Sequence, residues 1–376
     1  MPFRHAAVPE CSAGKELLSI GAKSPMRSLS VGRRVFDPSA KSPLEQIRSS
    51  VVHPKPFLDP QQGALLFAEG CHHSGNRLTC RTPSRYTHLT MPKVAIISKP
   101  QKPELEFILT ELLAWLTRHG FTPILEPDSA SYLGLTDQAC ARCDLAAHEP
   151  VLVISLGGDG TLLSTARAFA QTTTPILAVN LGSLGFLTEV PLAELYETLD
   201  AWIAGTAVID VRSFMHARLF RDDQLLREWD ALNDVVLSKG AIARMGEFAI
   251  EMDGQFVARF RADGVIVSTP TGSTAYTLAA NGPILMPTVD AMVLTAICPH
   301  LLTIRPIVFP GDTEVAVVVD VVPHETYLTV DGQEAVELIL NDRILCRKSS
   351  RNVHLLRLRP NGFFNVLRSK LKWGER

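Results

Sequence analysis

The sequence lacks any run of about 18 apolar residues, the length a helix needs to cross a bilayer. It also lacks, near its first residue, the short apolar segment with a small-residue cleavage pattern that marks a secretory signal. The formal net charge is only −2, so neither sign of charge dominates the chain. We therefore expect a cytoplasmic protein that has no membrane or nucleic-acid partner.

Cysteine is sparse, with 7 in 376 residues at irregular positions, which favours reduced thiols over a disulfide framework. Cys140 and Cys143 form one C-x-x-C pair in a helical-looking stretch, but no second pair follows at zinc-ribbon spacing. Four further side chains could ligate a metal on paper, in a segment that we do not expect to fold: Cys71, His72, His73 and Cys80. The sequence therefore assigns no metal ligand set.

Residues 1–90 differ in composition from the rest, with 12 Lys or Arg against 6 Asp or Glu and much Ser, Pro and His. No hydrophobic period is sustained there, so we expect a disordered or loosely attached tail. Met91 then opens "MPKVAIISKP", which indicates a spurious extension upstream of a working start at Met91. An organellar transit sequence is the rival interpretation, although Glu10, Glu16 and Asp37 weaken it.

From Met91 strand-like and helix-like patterns alternate. Val94–Ile97 reads as a buried strand, and Pro103 opens a helical pattern that Gly120 closes. The runs "FTPILEP", "PVLVISL" and "TPILAVN" continue the series, with helical stretches after Gly160 and over residues 191–204. The pattern predicts an α/β domain over residues 91–212 with a mostly parallel sheet, whose ligand lies at the carboxyl ends of the strands.

After residue 212 short β-type runs follow one another, and a helical period survives only in "PTVDAMVLTAI". Asp253-Gly254 and Asp331-Gly332 read as hairpin turns. We predict an all-β sandwich or barrel over residues 213–351, followed by a closing segment, residues 352–376.

The first chemical motif is GGDGT, formed by Gly157, Gly158, Asp159, Gly160 and Thr161 after an apolar strand. It fits neither a Walker A loop nor the dinucleotide GxGxxG. Glycine amides can approach an anion, but a carboxylate repels phosphate unless a divalent cation lies between them or the carboxylate takes a proton from the nucleophile. Both roles belong to phosphoryl transfer, and the alternative is a plain Asp-Gly turn.

Two further motifs offer groups for a nucleotide. The stretch "STPTGSTAY" packs five hydroxyl residues around Gly272 and ends at Tyr276, whose ring can cover a base. In "ALNDVVLSKG", Asn233 and Asp234 interrupt an apolar run and could take two ribose hydroxyls. The alternatives are a Ser/Thr-rich surface turn and a simple strand-end turn.

These motifs, in this order, resemble the NAD kinase family, which phosphorylates the 2′-hydroxyl of the adenosine ribose of NAD. The likeness runs from Met91 to the end and includes "VNLGSLGFLTEV", "PHLLTIRPIV", "DGQ" and "NVLRSKLKWG". It implies a phosphofructokinase-like α/β domain, then an NAD-binding β-sandwich, with residues 352–376 returning to the first domain. It further implies that NAD and ATP are the substrates, with Mg²⁺ as a cofactor and a homo-oligomer, dimer or tetramer, as the assembly.

The resemblance also implies roles for single residues. Asp159 matches the family's proton acceptor, and Phe186 resembles a ring-stacking residue. The other matching positions are implied contacts to substrate: Gly157, Gly158, Gly160, Asn233, Asp234, Arg244, Arg261, Asp263, Thr271, Thr274, Ala275, Tyr276, Thr277, Leu278, Ala279 and Gln333.

The chain departs from the family at three of its motif positions. Asp234 stands where many relatives have glutamate, Ala279 where serine is common, and Asn281 where glycine is common. Two residues bear on specificity in the family: Arg261 goes with a preference for NAD over NADH, and Thr161 with use of inorganic polyphosphate.

Two other functions stay open at this point. A lipid kinase of the diacylglycerol or sphingosine type shares GGDGT, and a catalytically silent dinucleotide sensor would share the binding motifs. The acidic balance of residues 91–376 does not favour a membrane-facing lipid kinase.

Overall fold

The computed structural model describes residues 91–240, 244–321, 325–359 and 362–373. The predictions for residues 1–90, including the possible ligands Cys71, His72, His73 and Cys80, lie outside these ranges. None of the helices within them is both long and apolar enough to cross a membrane.

Two sheets and six α-helices organise the described residues. The helices are α1 (Leu105–Arg118), α2 (Pro127–Ser131), α3 (Asp159–Ala168), α4 (Leu195–Ile203), α5 (Tyr276–Ala279) and α6 (Phe363–Leu371). The strands before residue 240 are β1 (Lys93–Ser98), β2 (Thr122–Leu125), β3 (Leu152–Gly157), β4 (Pro175–Asn180), β5 (Val190–Pro191), β6 (Val208–Arg221), β7 (Gln224–Ala231) and β8 (Asp234–Lys239). Those after it are β9 (Gly246–Met252), β10 (Gln255–Ala262), β11 (Gly264–Ser268), β12 (Ala291–Ile297), β13 (Ile307–Pro310), β14 (Val315–Val321), β15 (Thr326–Val330), β16 (Glu334–Glu337) and β17 (Arg343–Arg357).

The amino-terminal part is a parallel sheet covered by helices on both faces. Its strands run in the order β2-β1-β3-β4, and all neighbours are parallel. Successive side chains of a strand point to opposite faces, so Val94 and Ile96 pack with α1 and α4, while Ala95 and Ile97 pack with α3. Burial on both faces explains why these strands are continuously apolar.

Strand β17 joins the parallel sheet to antiparallel strands. It pairs antiparallel with β6 along its length and with β14 over its first residues, while its end also pairs parallel with β4, where Leu355 lies opposite Ile176. The result is one sheet of eleven described strands.

A second sheet of six described strands, in the order β13-β12-β11-β8-β15-β16, is antiparallel throughout. Its inner face packs on the antiparallel part of the first sheet, and Leu237, Val265 and Leu328 meet Met215 and Val317 in that core. The predicted fold class, an α/β part with a mostly parallel sheet followed by a β-sandwich, is confirmed.

Local predictions met different outcomes. Both hairpin turns are present, with positive φ at Asp253 (48°) and Gly254 (75°) and at Asp331 (51°) and Gly332 (63°). Asn281 also adopts the left-handed conformation, with φ 62°.

The helix predicted in "PTVDAMVLTAI" is wrong, because Ala291–Ile297 is strand β12. This strand lies between β11 and β13 and six of its seven residues are buried, so no alternation distinguishes it from a helix.

The stretch around the C-x-x-C pair contains a 3₁₀ helix, Arg142–His148, which follows Cys140. Strands β6 and β17 run across the predicted domain limits at residues 212 and 351. The division into domains stays a prediction.

Candidate active site

Asp159 is the first residue of α3, directly after the carboxyl end of β3, and its carboxylate organises the loop that follows β4. Oδ1 accepts hydrogen bonds from the backbone N–H of Leu187 (3.2 Å) and Thr188 (3.0 Å) and from Thr188 Oγ1 (2.9 Å). Among the described residues, Oδ2 accepts one hydrogen bond, from the backbone N–H of Phe186 (2.9 Å). The carboxylate is therefore fixed in orientation, and Oδ2 keeps the larger spare capacity to accept a further proton or hydrogen bond.

Close packing explains two glycines around this carboxylate. A Cβ on Gly185 would lie 2.1 Å from Asp159 Oδ1, and a Cβ on Gly157 would lie 2.3 Å from Thr161 Oγ1. By contrast, a Cβ on Gly158 or Gly160 would meet nothing within 4 Å. Two glycines are thus required by packing, whereas the other two keep the backbone amides of the loop accessible.

Asn233 and Asp234 form the second part of the site, at the start of β8. Asp331, buried in the turn between β15 and β16, accepts the backbone N–H groups of Leu232 (3.1 Å), Asn233 (2.7 Å) and Asp234 (3.2 Å). The turn that carries the Asn-Asp pair is therefore held by a carboxylate, as the loop at Phe186 is held by Asp159.

The hydroxyl-rich block packs on this turn. A Cβ on Gly272 would lie 2.0 Å from the carbonyl oxygen of Asn233, and Thr269 Oγ1 donates to the carbonyl oxygen of Leu232 at 2.6 Å. Other hydroxyls of the block also bond to carbonyl oxygens within it, Ser273 to Pro270 (2.6 Å) and Thr274 to Thr271 (3.1 Å). The sequence predicted that these hydroxyls bind a nucleotide. In the structure, three of them donate to backbone carbonyl oxygens of the protein and so stabilise the loop itself.

The exposed surface of the block is provided by Tyr276, whose side chain is 45% exposed. Ala275 and Leu278 are half-buried beside it, Ala279 is exposed, and Thr271 is buried. Thr277 is buried as well, and its Oγ1 has no hydrogen-bond partner among the described atoms. The backbone N–H of Tyr276 bonds to Asp234, which places the backbone of Tyr276 beside the Asn-Asp pair.

Gln333 and Arg167 connect the two parts across the sheets. Gln333 Nε2 donates to the carbonyl oxygen of Gly160 at 2.7 Å. Arg167, on α3, contacts Glu334 Oε1 (2.8 Å), Gln333 Oε1 (3.3 Å) and Asp331 Oδ2 (3.6 Å). The glycine loop, the Asn-Asp turn and the hydroxyl block are therefore one contiguous site, which we call the loop cluster.

A cavity of about 310 Å³ opens beside the glycine loop. Its wall includes Lys99, Arg142, Gly158, Gly160, Thr161 and Ser164. Arg142 Nη1 donates to Ser164 Oγ at 2.7 Å, and its Nε donates to Glu126 Oε2 at 2.7 Å. Lys99 and the amino terminus of α3 give this cavity a polarity that suits phosphate groups, whereas the charge of Arg142 is largely compensated by Glu126.

Three predicted residues lie elsewhere. Arg244 and Arg261 line a separate cavity of about 340 Å³, and Arg261 pairs with Glu247 at 2.8 Å. Asp263 pairs with Lys239 at 3.3 Å, at the opposite end of β8 from Asp234. The five residue steps along β8 correspond to about 16 Å. We call this group the distal cluster, and within one chain it does not join the loop cluster.

Sequence reasoning missed several residues that hold the site. Arg167 and Thr188 lie in patterns read only as helix and loop, and Asp331 was read as a hairpin turn without a further role. For Asp331, the sequence offered one signal of a role in the site, which is that Gln333, a predicted substrate contact, follows it by two residues. The rest depend on contacts between distant segments that no local pattern encodes.

Burial, and to a lesser extent the nearby Asp331 carboxylate, raise the pKa of Asp234 to about 7 against the opposing effect of the hydrogen bond from Tyr276 N–H. Burial also raises the pKa of Asp331 above its usual range, against the hydrogen bonds from the Asn233, Leu232 and Asp234 amides. Near neutral pH Asp234 can therefore either donate or accept a hydrogen bond, which suits recognition of a hydroxyl.

A glycine loop at the end of a parallel strand, facing a hydroxyl-rich turn and a pair of polar residues, defines a nucleotide-binding phosphotransferase of the kinase class. Residues 94–207 match the ATP-NAD kinase N-terminal domain, and residues 232–358 match the ATP-NAD kinase C-terminal domain. The chain belongs to the NAD kinase family.

Curated relatives agree with this assignment. The NAD kinase of Acidobacterium capsulatum is 58% identical over 288 residues, which are 76% of this chain and 100% of that protein. The NAD kinase of Koribacter versatilis is 51% identical over 286 residues, again 76% of this chain and 100% of that protein.

Solved structures give the same fold. Yeast NADH kinase, complexed with NADH, superposes with a TM-score of 0.71 at 27% identity, over 77% of this chain and 90% of that one. An NAD kinase from Archaeoglobus fulgidus, in complex with ATP, superposes with a TM-score of 0.58 at 23% identity, over 74% and 98% of the two chains.

The raised pKa of Asp234 predicts a pH dependence of stability. The folded protein holds this proton up to about pH 7, whereas an unfolded aspartate loses it near its model value of 3.8. Asp234 therefore contributes stability below pH 3.8 that is lost as the pH rises through about 7. Asp234→Asn removes this loss, so the unfolding midpoint of the variant should rise relative to that of the wild type between about pH 4 and 7, and the difference should level off above pH 7. A difference that does not change with pH would contradict the assignment.

Proposed function

We propose that this protein transfers the γ-phosphoryl group of ATP to the 2′-hydroxyl of the adenosine ribose of NAD, giving NADP. The observation that carries the proposal is the hydrogen bond from Gln333 to Gly160 together with the bonds from the Asn-Asp turn to Asp331. They bring a loop suited to phosphate and a turn suited to hydroxyls into one site. Membership of the NAD kinase family favours this reaction over that of a lipid kinase.

Asp159 is the proposed proton acceptor. Its Oδ1 is occupied by three donors and its Oδ2 by one, so Oδ2 is the oxygen that can take the hydrogen bond, and then the proton, of the 2′-hydroxyl. The ribose oxygen attacks the γ-phosphorus in line, and the bond to the β,γ-bridging oxygen breaks to release ADP.

We propose that the nucleoside is bound by Asn233, Asp234 and Tyr276. Asp234 is buried beside the Tyr276 amide, and the Tyr276 ring is exposed where a base could cover it. A hydroxyl held by Asn233 and Asp234 would be fixed in position relative to the glycine loop, which is the main contribution an enzyme can make to a phosphoryl transfer.

Mg²⁺ is the proposed metal, and the site fits a cation that arrives with the nucleotide. Among the residues that the structure describes, no three or more His, Cys, Asp or Glu side chains cluster in a way that could hold a metal ion by themselves. Mg²⁺ is commonly held by substrate phosphates with only one or two protein carboxylates, so the phosphates of the nucleotide would supply most of its ligands while Asp159 Oδ2 serves the 2′-hydroxyl. When bound, the ion would neutralise charge on the phosphates.

Inorganic polyphosphate is a second proposed phosphoryl donor. Thr161 follows GGDG as in family members that accept it, and Lys99 and Arg142 line the cavity beside the loop. Incubating the protein with NAD, Mg²⁺ and polyphosphate as the only donor should yield NADP. Absence of product, with ATP active in parallel, would exclude this donor.

We propose that the working form is a homo-oligomer, dimer or tetramer, in which the distal cluster of one subunit completes the loop cluster of another. The two clusters lie at opposite ends of β8, so a ligand held by both within one chain would have to span about 16 Å along the strand. An enzyme that uses ATP and NAD needs a compartment supplying both, and we place it in the cytoplasm.

Mixed oligomers test the shared site. Asp159→Asn and Asp263→Asn chains carrying different tags should each give weakly active homo-oligomers. Isolated oligomers that contain both tags should regain activity, because one pairing joins an intact loop cluster to an intact distal cluster. If the mixed species is as weak as its parents, the site is complete within one chain.

Asp159→Asn tests the proton acceptor. The amide oxygen can still accept the three hydrogen bonds at the Oδ1 position, so most of the loop should persist, although the amide NH2 at the Oδ2 position cannot accept from Phe186 N–H. Removal of a general base commonly costs about 10²- to 10⁴-fold in rate. We expect kcat for NADP formation to fall by this amount, with NAD affinity by calorimetry changed less than about threefold, a small free-energy difference.

Asp200→Asn is the matched control, because Asp200 is exposed on α4, away from the glycine loop. Its kcat should equal that of the wild type. A wild-type protein that binds NAD and makes no NADP would be a dinucleotide sensor, and a full-activity Asp159→Asn variant would refute the role of Asp159.

A further inference from the structure

The loop that donates hydrogen bonds to Asp159 is also bonded to an arginine side chain, that of Arg357, at the end of β17. Arg357 Nη1 donates to the carbonyl oxygen of Leu187 at 2.8 Å. The N–H of the same peptide group belongs to Thr188 and donates to Asp159 Oδ1 at 3.0 Å. One planar peptide unit therefore connects Arg357 to the carboxylate.

Arg357 is only 4% exposed and lies near the buried Arg212 and two partly buried carboxylates. Its Nη2 is 3.3 Å from Glu189 Oε1 and 3.5 Å from Asp210 Oδ2. Arg212, 3% exposed, grips the same Asp210 with Nε at 2.8 and 2.9 Å and with Nη2 at 2.6 Å. The carboxylates at Nη2 and the Leu187 carbonyl oxygen at Nη1 thus orient the guanidinium from two of its nitrogens, while its buried Nε has no partner among the described atoms.

A buried ionic group is costly to maintain, and similar stability is often reached with apolar residues of the same volume. The position of this group indicates a further role, because its one bond outside the charged set goes to the peptide that carries a donor to Asp159.

We propose that Arg357 is a positioning residue, which fixes the orientation of the Asp159 carboxylate through the Leu187–Thr188 peptide. The inference rests on the proposed role of Asp159 in NADP formation. Arg357 does not touch the reacting atoms, and its effect reaches them only through the 186–188 loop. A rotated carboxylate would still leave the Asn-Asp turn intact, so turnover should suffer and NAD binding should not.

Arg357→Lys is the primary variant, because lysine keeps the positive charge beside Glu189 and Asp210 but lacks the planar fork that reaches Leu187 at the same time. We expect kcat to fall about 10-fold, within the roughly 100-fold that a misplacement of about 1 Å can cost. The KM for NAD should stay within about twofold of the wild type, because ground-state binding is retained. Arg357→Gln should lose more activity than Arg357→Lys, and also stability.

Arg359→Gln is the matched control. Arg359 lies two residues further along the chain, its side chain is 71% exposed, and it is 3.9 Å from Glu197. The kcat of this variant should equal that of the wild type. All assays are run at a temperature where the unfolding transition of each variant has not begun, which separates turnover from stability.

A double-mutant cycle with Thr188→Val separates positioning from a general structural effect, because Thr188 Oγ1 is a second donor to Asp159 Oδ1. If both residues act through the same carboxylate, the kcat of the double variant Arg357→Lys/Thr188→Val should be little lower than the kcat of the less active single variant. Fully multiplicative losses, or a normal kcat in Arg357→Lys, would overturn the proposal. If the wild type made no NADP, the proposed function would fail instead, which the control assay reveals independently.

Discussion

The carboxylate of Asp159 and the three backbone amides that it binds are the interaction on which the site depends. One side chain at the start of a helix fixes the loop between β4 and β5, and that loop in turn fixes the carboxylate. Such reciprocal bonds satisfy buried polar groups that would otherwise cost free energy. A residue that seemed out of place beside phosphate is thus also a structural anchor, and its second oxygen is left to accept a further hydrogen bond.

The same device recurs on the other side of the site. Asp331 binds three consecutive backbone amides before and within β8, and the following Gln333 reaches the carbonyl oxygen of Gly160. Because these residues come from a hairpin of the second sheet, the geometry of the site depends on how the two sheets pack. Arg167 adds a charged contact at the same place, which links α3 to that hairpin.

Much of this was predictable from local patterns. GGDGT, the Asn-Asp pair, the hydroxyl block and both Asp-Gly turns are short motifs whose conformations depend on neighbouring residues, and they were recognised as such. The roles of Arg167, Asp331 and Arg357 were not, because each depends on a partner between 97 and 170 residues away along the chain. Strand β12 was mistaken for a helix because burial on both faces removes the alternation on which the distinction rests.

The separation of Arg261 and Asp263 from the loop cluster could not have been read from the sequence either. A motif shows which residues a family uses, but not whether one chain supplies them all to one site. The register of β8 and β11 settles where they lie in this chain, since Gly264 pairs with Ser238 and Ser268 pairs with Asp234. The proposed oligomer accounts for why both ends of the same strand pair carry residues of the family's motifs.

A structure of the Asp159→Asn variant with NAD and a non-hydrolysable ATP analogue would test the central claim most directly. The account predicts that the 2′-oxygen of the adenosine ribose lies within about 2.6–3.2 Å of the residue 159 side chain, the reach required of a general base. It would be contradicted if NAD were bound in the loop cluster with this oxygen too far from residue 159 to be reached directly or through one water molecule.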